Sequence, residues 1–359
     1  MPYCYNCGAK LDDDARFCPV CGTPVASVSP VATSATPQRT SQRPRRTTFP
    51  LAGIVLIAIL IIAVIGLAIA FVPLYPVSVS QSNEAAASNV NTLRLVLNAD
   101  VANVNVLLKD LPGNQRAAVN VSATGWRGIF GTDRPLALGF KEDTSNSTLT
   151  YSVNVSRAEG WMTFNTLNVI CDIYVDPSVN LDITVHANTG AIVVNSDRNA
   201  TFQRLLLQVD TGNVVVSVKD DTVVAGDVSL GAMSGSVLFS WDNAKITGNL
   251  PINLRATTGS VEANITQTRS LAGNVTLNSE VTTGVVNFAI KIQGDVGAKI
   301  SASMVSGNVN VKQGFSGRIP EVPLQSNNYP ARSNFDVTLR STTGSVDVTA
   351  DYDLGGTRS

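Results

Sequence analysis

A chain of 359 residues with 44% hydrophobic and 15% charged residues is long enough for more than one domain and too apolar to be disordered throughout. Its formal net charge of -1 conceals a split: residues 1–50 carry six Lys or Arg against three Asp, and the remainder carries twenty against twenty-four. Four of the five cysteines fall within the first 21 residues, which excludes a disulfide framework.

The chain opens MPYCYNCGAKLDDDARFCPVCGTPV, with Cys4 and Cys7 in one C-x-x-C pair and Cys18 and Cys21 in a second, ten residues apart. Two residues between cysteines let both thiolates of a turn face one ion, and two such turns supply the four-sulfur tetrahedron that Zn²⁺ accepts. Gly8 and Gly22 follow the second cysteine of each pair, where a tight knuckle needs a backbone that glycine adopts without steric cost. In its CGAKL and FCPVCGTP strings the segment resembles the short zinc-ribbon domains at the ends of many archaeal and bacterial membrane proteins, over residues 3–25. The resemblance implies a structural Zn²⁺, since all four ligands are protein thiolates and no position is left for a catalytic water. A redox role would account for one C-x-x-C but not two. Lys10 and Arg16 are outweighed by Asp12, Asp13 and Asp14, so nucleic acid is not an expected partner.

Residues 26–50 form a linker rich in Pro, Ser, Thr and Arg without a periodic apolar face, expected to be an extended disordered tether. Leu51 to Val72 then runs 22 residues without a charge. As a helix this reaches roughly 33 Å, enough to cross the hydrocarbon core of a membrane. Pro50 and Pro73 bracket it. Arg39, Arg43, Arg45 and Arg46 crowd its amino-terminal flank, and the other flank has no Lys or Arg before Arg94. The positive-inside rule therefore predicts an uncleaved signal anchor of the cell membrane with a cytoplasmic amino terminus and an extracytoplasmic carboxyl-terminal domain. Zinc thiolates suit the reducing side, and six N-x-S/T sequons, at Asn120, Asn146, Asn154, Asn199, Asn264 and Asn274, all follow the span.

Residues 77–180 read as an irregular β-rich region, either a cap or further degenerate coils, with runs such as TLRLVLN and TLNVICDIYV. Cys171 alternates with Val169, Ile173 and Val175 and is expected to be a small core hydrophobe. From residue 181 to 350 a repeat emerges, with glycines at Gly190, Gly212, Gly235, Gly259, Gly284, Gly307 and Gly344 spaced 22, 23, 24, 25, 23 and 37 apart. Each glycine follows a Ser or Thr. Two residues after it stands Ile192, Val214, Val237, Val261, Val286, Val309 or Val346, and seven before it Ile183, Leu205, Val228, Ile252, Leu277, Ile300 or Val337. Alternation around these columns places Val261, Ala263 and Ile265 on one face and Glu262, Asn264 and Thr266 on the other, so each glycine is expected to join two half-buried strands. Gly226, Gly248, Gly273 and Gly297 mark a second corner.

Coils of 22 to 25 residues predict an all-β domain, a β-helix or solenoid of about seven coils burying a continuous aliphatic core, with residues 351–359 as a tail. The strand, Ser/Thr-Gly, strand pattern resembles the β-solenoid adhesin-type domains of bacteria and archaea. That resemblance implies a surface domain. The longest spacing accommodates an insertion over Gly314 to Arg332, carrying Phe315, Arg318, Glu321 and Tyr329, expected to be a plain surface insertion, with specific contacts from a projecting loop as the alternative.

No constellation for catalysis is legible. The single histidine, His186, is expected to face solvent; Asp220 and Asp221 belong to a turn; the repeated Ser or Thr before glycine has no His partner and is read as a turn ladder. The expected function is a non-catalytic surface scaffold or adhesin, with membrane lipid, an envelope glycan or surface protein, and a cytoplasmic protein at the ribbon as partners. The alternatives are a transmembrane sensor whose ribbon recruits a cytoplasmic partner, and a carbohydrate-active β-helix enzyme, which rests on fold analogy alone.

Overall fold

The computed structural model of the chain describes residues 3–4, 6–10, 17–24, 51–71, 75–127, 134, 136–158 and 166–353. The linker expected over 26–50, with its four arginines, lies outside them, as do Val72 and residues 354–359 of the expected tail, whose first three residues, 351–353, are instead the end of a strand. The chain falls into two units, Met1–Ile61 and Ile62–Ser359.

Among the described residues one helix, α1, spans Leu51–Phe71 and has no acidic residue in its first turn and no basic one in its last. Its side chains are described from Val55 to Leu67, and all of these are exposed. Among the described residues no helix is long and apolar enough to cross a membrane.

The second unit is built of strands. Its first part holds β1 (Tyr75–Ala86), β2 (Thr92–Val101), β3 (Asn103–Leu108), β4 (Gln115–Arg127), β5 (Leu136–Ser145), β6 (Thr148–Arg157) and β7 (Thr166–Val175). The repeats follow as β8 (Asn180–Ser196), β9 (Thr201–Val218), β10 (Val223–Val224), β11 (Val228–Asp242), β12 (Lys245–Ile246), β13 (Leu250–Gln267) and β14 (Val275–Gln293). The chain ends with β15 (Val296–Ser303), β16 (Val309–Gln313), β17 (Phe315–Arg318), β18 (Val322–Ser326) and β19 (Ser333–Asp353).

β13 shows why the sequence folds this way. Leu250, Ile252, Leu254 and Ala256 point inward, and after Gly259 the buried positions are Val261, Ala263, Ile265 and Gln267. The inward parity changes by one residue across the glycine, so the strand turns a corner there without leaving its ladder. At the corner a Cβ on Gly259, whose φ is +138°, would stand 1.8 Å from the carbonyl oxygen of Gly235. The same approach recurs at Gly212, Gly235, Gly284 and Gly344, each over the glycine of the neighbouring strand. The repeated glycine is thus demanded by a carbonyl packed where a side chain would begin, as well as by backbone conformation. The inward columns form one continuous core that includes Phe202, Phe239, Trp241, Ile252, Leu277 and Phe335. Trp241 closes its polar edge inside that core by donating its indole N–H to Gln267 Oε1 at 2.7 Å.

β8, β9, β11, β13 and β14 pair in parallel, each with the next, and hold one register apart from a bulge at Gln203 of β9, opposite Leu181 and Asp182 of β8. Chain order fails at both ends. β14 pairs next with β19, residue for residue from Val275↔Phe335 to Gln293↔Asp353, and β15 and β16 lie on the far side of β19. At the other end β8 pairs with β2 and β3, and those pair with β6 and β7, so part of the region expected to be irregular extends the same parallel stack. β1, β4 and β5 join by antiparallel pairing.

Two expectations about the last repeats are corrected. Ile300 lies opposite Val337 as the columns require, but Ser306 bridges Ser345 and Val309 pairs with Val348, an offset two residues from the expected match with Val346. Gly307 therefore does not sit on Gly344, and Val309, placed inward by the columns, is 37% exposed on the outermost strand. Nor is Gly314 to Arg332 a projecting loop. β17 and β18 form a hairpin, β18 pairs antiparallel with β15, and Leu324 is buried; the Ser326 hydroxyl accepts from the Ala298 backbone N–H at 2.9 Å. The segment closes the end of the stack because it must carry the chain from outside β19 back to a position beneath it.

One polar contact ties three levels together. The buried carboxylate of Asp182 on β8 accepts from Arg94 Nε of β2 at 2.9 Å, and from Arg204 Nε and Nη2 of β9 at 2.8 and 3.0 Å. Both guanidinium groups remain partly exposed, so the loss on removal is that of charged hydrogen bonds rather than of a fully buried ion pair. Asp182→Ala is expected to destabilise the unit by about 2 kcal/mol, with a lower melting temperature as the readout. An unchanged melting temperature would show that the clamp contributes nothing.

Candidate metal centre

The four amino-terminal cysteines form two knuckles of the same construction. In the first, the Cys4 N–H donates to Ala9 O at 2.8 Å and the Gly8 N–H to Cys4 O at 2.9 Å; in the second, Cys18 N–H donates to Thr23 O and Gly22 N–H to Cys18 O, both at 2.9 Å. Gly8 and Gly22 have φ of 70° and 71°, the left-handed conformation expected of the knuckle glycines. Antiparallel bridges Tyr3↔Lys10 and Phe17↔Pro24 close the base of each.

The knuckles bring all four Sγ atoms within 4.8 Å of one another. Cys4 Sγ lies 3.6 Å from Cys21 Sγ, and Cys7 Sγ 3.6 Å from Cys18 Sγ, so each close pair joins one knuckle to the other. Thiolates at about 2.3 Å from a tetrahedral ion are separated by about 3.8 Å, close to these distances. Cys4 and Cys18 are buried and Cys7 and Cys21 exposed. Asn6 Nδ2 donates to Thr23 Oγ1 at 3.1 Å, and Thr23 Oγ1 lies 3.1 Å from Cys21 Sγ, which fixes the outer side of the cluster.

The thiols differ in acidity. The Thr23 hydroxyl and then the Thr23 backbone stabilise the Cys21 thiolate, lowering its pKa to about 6. At Cys7 the Ala9 backbone N–H also favours the thiolate, but hydrogen bonding among the neighbouring thiols and burial outweigh it and push the group up to about 12. Four negative sulfurs this close repel one another, and a divalent cation among them reverses that preference.

The other residues singled out by sequence lie in the second unit. Cys171 is fully buried, its thiol pushed up to about 12, chiefly by burial and then by the charge of Asp172. His186 faces outward and its Nε2 stands 3.4 Å from Asp210 Oδ1, a partner two columns over on the next strand that reading His186 alone does not find. Asp220 and Asp221 occupy a turn, with Asp221 at φ 73° and paired to Lys245 at 2.9 Å. Within the end hairpin, Arg318 and Glu321 are 4.0 Å apart on the surface, and the Tyr329 hydroxyl donates to Asp336 at 2.9 Å. Aligning adjacent repeats would have found Asp210, since it lies two residues before Gly212 and His186 four before Gly190.

Comparison with known proteins agrees on the first of these regions: residues 3–25 match the zinc-ribbon domain family, and the segment is a zinc-ribbon domain with a clustered metal-binding cysteine set. No curated protein matches the chain. Among solved structures it is similar to a candidate cell-adhesion protein from Clostridium sporogenes, at 13% identity and a TM-score of 0.36 over 76% of this chain and 99% of that one. A candidate adhesin from Bacteroides fragilis has 12% identity and a TM-score of 0.30 over 75% of this chain and 96% of its own. Another from Parabacteroides merdae has 10% identity and a TM-score of 0.26 over 75% and 95%.

Proposed function

We propose that the protein is a single-span membrane protein that displays a non-catalytic β-solenoid outside the cell membrane for adhesion or scaffolding, with a structural Zn²⁺ held in the cytoplasm by Cys4, Cys7, Cys18 and Cys21. The observation that carries the binding role is the register from β9 through β14 to β19, in which outward positions lie beside their counterparts on the next level. Rows of surface side chains are thereby held about 4.8 Å apart by the ladder itself, so a partner meets a surface already ordered and little conformational entropy is lost on contact. The span and its direction rest on the sequence rather than on the described helix: Leu51 to Val72 runs 22 residues without a charge, and the arginines at 39, 43, 45 and 46 crowd its amino-terminal flank. Zinc fits the ribbon because four thiolates satisfy a tetrahedral d¹⁰ ion and leave it no open position for chemistry. In this reading the ribbon is a rigid knob on the cytoplasmic side, available to a protein partner there.

Topology gives the direct test. Protease added to intact cells is expected to digest the chain beyond residue 77 and leave the ribbon protected, as read by antibodies against each end. Digestion of the ribbon with protection of the strands would reverse the orientation, and protection of both would remove the surface role.

A further inference from the structure

One outward column of the stack is interrupted. Four residues before each corner glycine stand His186, Gln208, Gly231, Arg255, Glu280 and Arg340, neighbours from one strand to the next. Gly231 does not share the reason for the corner glycines. A Cβ built on it meets only Gln208 Cγ, at 3.9 Å, an ordinary contact, whereas one on Gly235 would stand 1.8 Å from a carbonyl oxygen. Its φ is not among the positive ones. A glycine inside a strand weakens it and commonly marks close approach of another group, and here what its missing side chain creates is open space.

That space is a groove of about 440 Å³ on the outer face, within the range of small-ligand sites. Gln208 and Arg255 stand on either side of Gly231, two strand spacings or about 10 Å apart. Above them the lining changes from Leu206, 37% exposed, through Ser229 to Asn253 and Asn278, whose amides are joined at 3.2 Å. Arg255 Nε faces Glu280 Oε2 at 3.9 Å, so opposite charges meet within the wall and the groove carries no excess of either sign. An adjoining depression shares Gln208, Gly231 and Arg255 and adds Met233, 55% exposed.

We infer that this groove binds a neutral sugar unit of a surface glycan, an inference that rests on the reading of the stack as a surface-binding scaffold. Amides and a hydroxyl offer donors and acceptors to the hydroxyls of a pyranose, and Leu206 and Met233 offer apolar contact to its C–H face. The balanced Arg255–Glu280 pair favours a neutral ligand over an anion or a cation. An extended peptide is disfavoured because the site lies on the face of the sheet, where backbone donors and acceptors are already used by the ladder and no strand can be added.

Gly231→Gln fills the notch with the side chain that the preceding strand carries in the same column, at a position where a Cβ has room. The full-length protein in mild detergent is titrated with neutral tetrasaccharides of glucose, mannose and N-acetylglucosamine, and with a galacturonate tetramer. Binding of at least one neutral oligomer in preference to galacturonate, weakened at least tenfold in Gly231→Gln at an unchanged melting temperature, is the expected result. If that variant melts lower, Asn253→Ala, which removes one exposed amide, is expected to weaken the same binding. No binding of any neutral oligomer, or equal binding by the variants, overturns the inference. Cosedimentation with isolated cell envelopes separates it from the parent reading. Envelopes that retain the wild type while no tetrasaccharide binds leave the surface role standing and the sugar site refuted; envelopes that retain no protein overturn both.

Discussion

Gly259→Val is expected to destabilise the stranded unit by more than about 4 kcal/mol, a large share of the roughly 5–15 kcal/mol that holds a domain folded. The added Cβ would begin 1.8 Å from the Gly235 carbonyl oxygen and 2.8 Å from its carbon, and both atoms belong to backbone that cannot rotate away. Relief requires the two strands to part at the corner. That would break the ladder between β11 and β13, whose register runs unbroken on both sides of the glycine. The φ of +138° adds a second penalty, since β-branched residues avoid this region most strongly. Glu262→Ala, three residues on, alters an exposed outward side chain, and its effect is expected to stay within about 0.5 kcal/mol. Thermal melts of the two variants make the comparison. Similar melting temperatures would show that the corner opens without breaking the stack.

In the ribbon, Cys18→Ser is expected to abolish stoichiometric Zn²⁺ binding and, with it, the fold of residues 3–25. The domain has almost no core: the only buried hydrophobic residues described in it are Cys4 and Cys18, with Ala9 packed against them. Its folding free energy is therefore metal-binding free energy, about 10–16 kcal/mol in comparable thiolate sites at neutral pH. Because every thiol that still carries a proton must lose it to bind the metal, affinity is expected to fall as pH is lowered. The thiol of Cys7, which without a cation keeps its proton up to about 12, contributes to that dependence. Elemental analysis of the full-length protein provides the readout, one zinc per chain in the wild type and none in the variant. Cys171→Ser is the control: that thiol lies in the core of the other unit and its change is expected to leave the zinc content intact. Zinc retained in Cys18→Ser, or absent from the wild type, refutes the assignment.

Local chemistry determined a good deal of this protein by sequence alone. The spacing of Cys4, Cys7, Cys18 and Cys21 specified two knuckles because both the reach of a C-x-x-C turn and the φ required at Gly8 and Gly22 are properties of a few consecutive residues. Alternation around Gly190 to Gly284 specified inward columns and corners for the same reason, since the pleat reverses side chains at every residue wherever the strand ends up. Stacking order was not legible, and the reason is the repeat itself. Val337, Ile300 and Leu277 present nearly the same aliphatic surface, so the column pattern does not distinguish β19 from β15 as the neighbour of β14. Only the tertiary structure chose β19, and with it came the two-residue offset that leaves Val309 exposed and turns the segment after Gly314 into an end hairpin. The placement of β2 and β3 between β8 and β6 with β7 was hidden likewise, because Ala102 occupies the corner where later repeats signal with glycine. Contacts such as His186 with Asp210, and the notch at Gly231, arise between residues some twenty positions apart. They exist only once neighbouring levels are in register, because hydrogen bonding of the ladder, rather than any property of one repeat, sets which outward side chains stand side by side.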